Sequence, residues 1–208
     1  LANTYSEREL EIKTINLLRA KQVEGIVMIC WDIDQEIVNI LENSGIPAVY
    51  ISKTTRDFDI YNVSTQNAPA TRDMTQFLID KGHKNISLLR TNYHISNLAD
   101  ARLQGYKEAL SENNIEYNDK LVKSCGATYN DGYATAKELL NEGTKPDAIF
   151  ATSDEAAIGA INACFDMGYK VPEDISVAGF NDVKFAKIYR PKLTTVYQPL
   201  FDMGAVAI

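Results

Sequence analysis

The sequence predicts an α/β fold made of two similar lobes, each with a mostly parallel sheet. Short apolar runs typical of buried strands alternate with amphipathic stretches of helical length along the 208 residues. The stretch 148–181 contains a complete strand–helix–strand unit, long enough for a right-handed parallel crossover. The alternation of strands and helices restarts at Asn85. The roughly eight strands therefore form two successive series, which predicts two lobes rather than one barrel.

The elements predicted before residue 82 follow one another regularly. They are a helix opened by the capping box of Ser6 and Glu9, a strand at 23–31, a helix capped by Asp34, strands at 46–52 and 61–64, and a helix at 67–81. The run 23–31 is almost continuously apolar, which is typical of a parallel strand buried on both faces. Pro69 and Gly82 mark the two ends of the last helix.

The elements predicted after residue 85 repeat this pattern. They are strands at 86–89, 121–125, 148–151, 175–179 and 193–197, with helices at 97–113 and 130–142, a helix from Asp154 to Gly168, and the opening turns of one more helix at 201–208. In the helix before Gly168, an apolar face carries Ala157, Ile161, Cys164 and Phe165. Ser153 and Asp154 are expected to cap its N-terminus.

Charge and composition exclude several classes of function. The net charge is −7 and no basic run occurs, so these residues are not expected to form a nucleic-acid surface, which needs clustered Lys and Arg. No apolar stretch reaches the length of a membrane span. Cys30, Cys125 and Cys164 lie far apart in apolar runs, which predicts reduced core thiols in a cytoplasmic protein.

The sequence lacks the motifs of common enzymes. His83 and His94 are the only histidines and do not have a metal-binding spacing, and there is no nucleophile elbow, phosphate loop or dinucleotide fingerprint. A nucleophilic role for Cys30 is less favoured than a buried structural one. We therefore expect no catalytic activity, metal or cofactor.

Polar residues at the ends of predicted strands indicate a ligand-binding edge instead. Ser153 and Asp154 follow one strand and Asn181 another, at the carboxyl edge where open α/β sheets bind ligands. Arg102 lies early in a helix that follows a third strand, where its guanidinium can pair with vicinal hydroxyls or a carboxylate. Trp31 ends its strand and can stack on a sugar ring or a nucleobase.

Each of these candidates also has a purely structural interpretation. Ser153, Asp154 and Asn181 are typical capping and turn residues. Arg102 can be a solvated residue near a helix surface, paired with Asp100 or Glu108. Trp31 can pack in a core.

Segments of the chain carry a family resemblance. They are 22–27, 78–86, 101–106, 153–159, 171–182 and 190–199, in the expected order and at the expected distances. Together they resemble the effector-binding domain of the lac/gal repressor (LacI/GalR) family of transcription regulators, over essentially the whole chain. The last two segments, VPEDISVAGFND and RPKLTTVYQP, are the most specific, because periplasmic sugar-binding proteins share the fold but seldom carry the second.

The resemblance implies a periplasmic-binding-protein-like fold of type I with an effector cleft between two lobes. Residues 1–65 and 197–208 would form an incomplete N-terminal lobe and residues 66–196 the C-terminal lobe. The chain would be truncated at both ends, lacking an N-terminal helix-turn-helix headpiece, the first strand and helix of the N-lobe, and the part after the helix that follows Pro199. A homodimer is implied, with operator DNA bound only through that headpiece.

The resemblance also suggests roles for single residues. Arg102 corresponds to the family arginine that grips the effector, and Asn181 stands where an aspartate usually contacts it. Ser153 lies on another contributing strand end, and Trp31, Ser52 and Ala127 fall at wall positions. Two positions depart from the pattern, because Gln66 replaces a frequent aspartate at the lobe crossing and Ala127 replaces a common stacking aromatic residue.

The implied function is effector sensing. A small ligand, a sugar or sugar derivative, would control DNA binding allosterically. The alternative is a periplasmic or extracellular solute-binding protein for sugar uptake. An enzyme of the sugar-isomerase or Rossmann type is disfavoured by the missing motifs.

Overall fold

A computed structural model describes residues 1–4, 7–29, 35–51, 60–91 and 97–208. In chain order the elements are α1 (Arg8–Ala20), β1 (Ile26–Ile29), α2 (Gln35–Ser44), β2 (Ala48–Ile51), β3 (Tyr61–Val63), α3 (Asn67–Asp80), β4 (Ile86–Thr91), α4 (Asn97–Glu112), β5 (Val122–Cys125), α5 (Tyr129–Asn141), β6 (Ala148–Ala151), α6 (Asp154–Asp166), β7 (Ser176–Asn181), α7 (Lys184–Ile188), β8 (Thr194–Tyr197) and α8 (Leu200–Val206). A single 3₁₀ turn among the described residues, Asp119–Leu121, precedes β5.

The chain divides into two compact units. The smaller contains 1–65 and 199–208, and the larger contains most of 66–198. Tyr197, which we expected in the smaller unit, belongs to the larger one because it ends β8 and pairs with Asn181 of β7.

The smaller unit is built around a parallel three-stranded sheet in the order β1-β2-β3. Its core is apolar and comes from two helices and two strands, namely Ile15 of α1, Ile37, Val38 and Leu41 of α2, Ile26 of β1 and Tyr50 of β2. The burial of Ile37, Val38 and Leu41 at helical spacing places one face of α2 against this core.

The larger unit is built around a parallel five-stranded sheet in the order β5-β4-β6-β7-β8. One apolar cluster joins α5 and α6 to the sheet and contains Ala136, Leu139, Ala160, Ile161 and Cys164, while a second joins α3 and α4 to it and contains Met74, Leu78, Tyr106 and Leu110. Helices therefore cover both faces of the sheet, which explains why β6 is buried at every position and reads as a continuous apolar run.

The predicted fold class is confirmed. Every strand expected from the sequence contains a strand of the structure, and the strands pair in parallel. The expectation that the strand within 23–31 is buried on both faces is wrong, because β1 is an edge strand whose Val27 and Ile29 are 47% and 78% exposed. The short helix α7 was not predicted, because only Ala186 of its five residues is buried and it lacks an apolar stripe. Phe165 was wrongly placed in the core: it is 42% exposed, since it lies about 80° around the helix from Ala157, at the border of the apolar stripe.

The predicted core position of the cysteines is confirmed for the two that the structure describes. Cys125 and Cys164 are free and buried, and burial raises the pKa of the Cys164 thiol to about 11. Cys30, His94 and the proposed caps Ser6 and Asp34 lie outside the described residues. Of the helices in the described ranges, none is both long and apolar enough to cross a bilayer.

Candidate functional site

The candidate site lies at the carboxyl edge of the larger sheet. There β4 ends at Thr91, β6 runs into Thr152 and Ser153, and β7 ends at Asn181. The β4–β6–β7 pairings bring these strand ends to one edge, as the sequence predicted for parallel neighbours. Two predicted site residues, Trp31 and Ser52, lie outside the described part of the chain.

Arg102 is buried at this edge, with only 5% of its surface exposed. Its Nε donates to Asn67 Oδ1 at 2.9 Å and its Nη1 donates to the Thr152 carbonyl at 2.8 Å. The guanidinium carbon lies 3.9 Å from the centre of the Phe180 ring. Two hydrogen bonds and an aromatic face therefore hold a permanently charged, planar group in one orientation.

The interpretation of Arg102 as a solvated helix residue is wrong. Asp100 pairs instead with Arg90, at 3.0 Å, and Glu108 accepts from Gln104, at 2.7 Å. A buried guanidinium requires compensating partners, because removing a charge from water without them is strongly unfavourable. Asn67, Thr152 and Phe180 supply that compensation.

Buried threonines hold the strand ends beneath Arg102. The Thr91 amide donates to Thr152 Oγ1 at 2.8 Å, and the two hydroxyl oxygens lie 2.9 Å apart. The Thr152 hydroxyl also donates to the Leu89 carbonyl at 3.2 Å. These bonds join β4 to the segment after β6. They also fix the position of Thr152, whose carbonyl accepts a hydrogen bond from Arg102.

Ser153 occupies the N-cap position of α6 but does not cap the helix with its side chain. Its hydroxyl donates instead to the Ala127 carbonyl at 2.7 Å. The capping role predicted for Ser153 is therefore wrong. The hydroxyl ties the end of β6 to the segment between β5 and α5.

Asp154 is fully buried, and both of its carboxylate oxygens accept hydrogen bonds. Oδ2 accepts from the Val183 amide at 2.7 Å and Oδ1 from the Thr195 hydroxyl at 2.5 Å. A Cβ at Gly179 would lie 2.3 Å from Asp154 Oδ1, so this close approach requires glycine. The carboxylate therefore fixes the segment after β7.

The backbone leaving β7 is strained at the candidate residue Asn181. Its φ is 115° and that of Asp182 is 55°, both in the region that favours glycine. The Asp182 amide donates to Thr195 Oγ1 at 3.3 Å, and Lys187 pairs with the Asp182 carboxylate at 3.0 Å. None of the described residues hydrogen-bonds the Asn181 side chain, which is half-buried at the edge.

Burial raises the pKa of Asp154. Desolvation outweighs the hydrogen bonds from Thr195 and Val183, which act in the opposite direction, and the nearby Asp182 charge raises the pKa further. The folded protein therefore retains a proton at Asp154 over a pH range in which the unfolded chain has lost it. Stability is expected to fall as pH rises from about 4 through the raised pKa.

Replacing Asp154 with asparagine tests this effect. Asp154→Asn removes the titrating group, so its free energy of unfolding should decline less between pH 4 and 7 than that of the parent chain. Urea unfolding across this pH range measures the difference. Asp119→Asn, an exposed carboxyl replaced in the same way, serves as the control and should keep the parent slope. Equal slopes for Asp154→Asn and the parent would contradict the assignment.

The sequence did not identify Asn67, Thr152 or Phe180 as part of this site. Each is adjacent to a residue that the sequence did single out, since Thr152 precedes Ser153, Phe180 precedes Asn181 and Asn67 follows Gln66. No local signal separates these supporting residues from ordinary strand and helix termini.

Known proteins are similar to this chain in sequence. Residues 75–208 match the periplasmic binding protein-like domain family. Catabolite control protein A of Priestia megaterium is 34% identical over all 208 residues, and that of Staphylococcus epidermidis (strain ATCC 12228 / FDA PCI 1200) is 35% identical. The chain spans 63% and 62% of these two proteins, which is less than two thirds of their length.

Solved structures show the same similarity. The transcription regulator CcpA of Lactococcus lactis superposes with a TM-score of 0.91 at 35% identity, covering 100% of this chain and 75% of that one. A complex of the transcriptional regulator CelR with cellobiose gives a TM-score of 0.88 at 30% identity, covering 97% and 62%.

Proposed function

We infer that this chain, which belongs to the periplasmic binding protein-like domain family and within it to the LacI-type transcription regulators, is the effector-sensing domain of such a regulator. The effector would be a small sugar-like molecule bound at the carboxyl edge of the larger sheet. DNA would be bound by a helix-turn-helix headpiece of the full-length regulator, acting in the cytoplasm. The similarity to regulators along the whole chain favours this proposal over a solute-binding protein for uptake.

The observation that carries the proposal is the fixed guanidinium of Arg102. It is oriented by Asn67, Thr152 and Phe180 at a sheet edge. A planar guanidinium suits vicinal hydroxyls, because it can present parallel N–H donors to them. A pre-oriented donor improves affinity by reducing the ordering needed on binding.

Asn181, which follows Phe180 in the sequence, would supply chemistry complementary to this donor. Its amide can both donate and accept, which suits a hydroxyl that does the same. The strained backbone at φ 115° is stabilised by Asp154 and Thr195, which bind the two following amides. Strain of this kind, typically about 1–3 kcal/mol per residue, is concentrated at ligand sites and switches. The cellobiose complex of the similar regulator CelR supports a sugar as the ligand class.

The proposed mechanism is a shift between two conformational states. An effector that binds one state more tightly moves the population towards it, by no more than its difference in affinity. The same coupling free energy would change the affinity of the full-length regulator for operator DNA. No covalent bond changes in this cycle.

A thermal-shift screen tests the proposal. Monosaccharides, disaccharides including cellobiose, and sugar phosphates are added to the full-length regulator, and one class should raise its melting temperature. Asn181→Ala should reduce that shift, whereas Asn141→Ala, an exposed asparagine at the far end of α5, should preserve it. Loss of the shift in both variants, or no shift with any sugar, would contradict the proposal.

We also propose a homodimer formed through an exposed apolar face of the larger unit. Tyr129, Phe165 and Ile188 are exposed on α5, α6 and α7. These three elements are joined at their surface, because Tyr133 of α5 donates to Asp166 of α6 and Tyr189 donates to Asn162 of α6. A twofold contact would bury the face against its copy.

Sedimentation analysis tests the dimer. Ile188→Asp should shift the full-length regulator from dimer to monomer at micromolar concentrations, because it would place a charge in the contact. Phe77→Asp, on α3 against the other face of the sheet, should leave the dimer intact. A parent regulator that sediments as a monomer would refute the proposal.

A further inference from the structure

A groove of about 420 Å³ lies at the opposite, amino-terminal edge of the larger sheet. It lies among the end of α3, the start of β7 and the start of β8. Its floor includes Leu78, Ile161 and Val177, which are buried apolar side chains. The Phe77 ring is 42% exposed and forms part of the wall, so an incoming ring has an aromatic surface to contact.

Basic and neutral polar groups line another part of this amino-edge groove. Lys81, His83 and Lys192 are among its lining residues, and the described lining contains neither Asp nor Glu. This contrasts with the whole chain, which has 28 acidic and 21 basic residues. The Lys81 ammonium lies 5.4 Å from the centre of the Phe77 ring. Basic groups and apolar surface therefore meet in the same concavity.

We propose that the amino-edge groove is a second ligand site, which binds a small aromatic anion. The ring would lie against Phe77 and the apolar floor, with its charged group towards Lys81 and Lys192. The hydroxyls of Ser176 and Thr194 offer hydrogen bonds to an anionic oxygen. The volume falls in the range of about 300–1,000 Å³ typical of small-molecule sites.

This site is separate from the effector site proposed above. Ser176 begins β7 at the groove and Asn181 ends the same strand at the carboxyl edge. Five residue steps along a parallel strand span about 16 Å. A ligand in the groove therefore does not occupy the position of the effector, and both can bind at once.

Calorimetric titration with naphthalene-2-carboxylate tests the proposal. The full-length regulator should bind it saturably, one molecule per chain, and bind the uncharged naphthalene-2-carboxamide at least fivefold more weakly. The double variant Lys81→Ala/Lys192→Ala should weaken carboxylate binding at least fivefold. Both lysines are exposed, so the fold should survive, and circular dichroism checks this.

A matched double variant provides the control. Lys107 lies 4.4 Å from the centre of the Tyr117 ring, as Lys81 lies near Phe77, and Lys184 is exposed on α7. Lys107→Ala/Lys184→Ala removes the same charge and should leave the affinity unchanged. Thr194→Trp should abolish binding by filling the groove. Equal affinity for carboxylate and amide, equal loss in both double variants, or no saturable binding would overturn the proposal.

Discussion

Replacing Arg102 with alanine is expected to weaken effector binding at least tenfold and also to destabilise the larger unit. The affinity falls because a fixed, charged hydrogen-bond donor is lost from the proposed site. The stability falls because Asn67 Oδ1 and the Thr152 carbonyl lose their buried donor and Phe180 loses a packed partner. An unsatisfied buried acceptor costs about 1–3 kcal/mol, so we expect a loss of roughly 2–4 kcal/mol.

Urea unfolding and calorimetry with a ligand from the sugar screen measure the two effects separately. Arg90→Ala is the matched control, because Arg90 forms a more exposed pair with Asp100 and should contribute no more than about 1 kcal/mol. Unchanged effector affinity in Arg102→Ala would remove Arg102 from the site. Unchanged stability would contradict its burial and restore the sequence-based expectation of a residue near a helix surface.

Replacing Gly159 with alanine is expected to destabilise the larger unit by about 3 kcal/mol, at the upper end of the typical cost of overpacking. A Cβ at Gly159 of α6 would lie 2.1 Å from the Tyr129 carbonyl oxygen and 2.7 Å from the Tyr133 amide nitrogen of α5. These contacts are with backbone atoms, so no side chain can rotate away. The two helices would have to separate, which disrupts their shared core of Ala136, Ala160 and Ile161.

Gly204→Ala provides the comparison for this substitution. Gly204 lies within α8, and a Cβ there meets no atom within 4 Å. Alanine is favoured over glycine in helices by about 1 kcal/mol, so this variant should be neutral or slightly more stable. Thermal unfolding of both variants measures the contrast. Equal melting temperatures would show that α5 and α6 do not approach as closely as described.

The sequence predicted the fold class well because the larger sheet is parallel and covered on both faces. Strands in such a sheet are buried on each side, so β6 is visible as an uninterrupted apolar run. In helices such as α2, the residues that become buried recur in the sequence at helical spacing. Element boundaries at glycines were also predictable, since Gly82 and Gly168 adopt the positive φ that terminates α3 and α6.

The environment of the site residues could not be predicted in the same way. Arg102 meets Asn67 and Thr152, which lie 35 and 50 residues away along the chain, whereas helical periodicity reports only on residues a turn apart. The hydroxyl of Ser153 likewise donates to the Ala127 carbonyl instead of capping α6. The strained φ of Asn181 has no sequence signal, because tertiary bonds to the residues after it impose the conformation.

The long-range contacts of Arg102 also bear on the order in which the larger unit folds. Its hydrogen bonds close chain loops of 35 and 50 residues, so they form only after α3, α4 and the end of β6 have been brought together. Contacts that form after the folding transition state change the unfolding rate rather than the folding rate. We therefore expect the contacts of Arg102 to slow the unfolding of the larger unit. The rate at which this unit folds is expected to depend on the apolar core of its sheet instead.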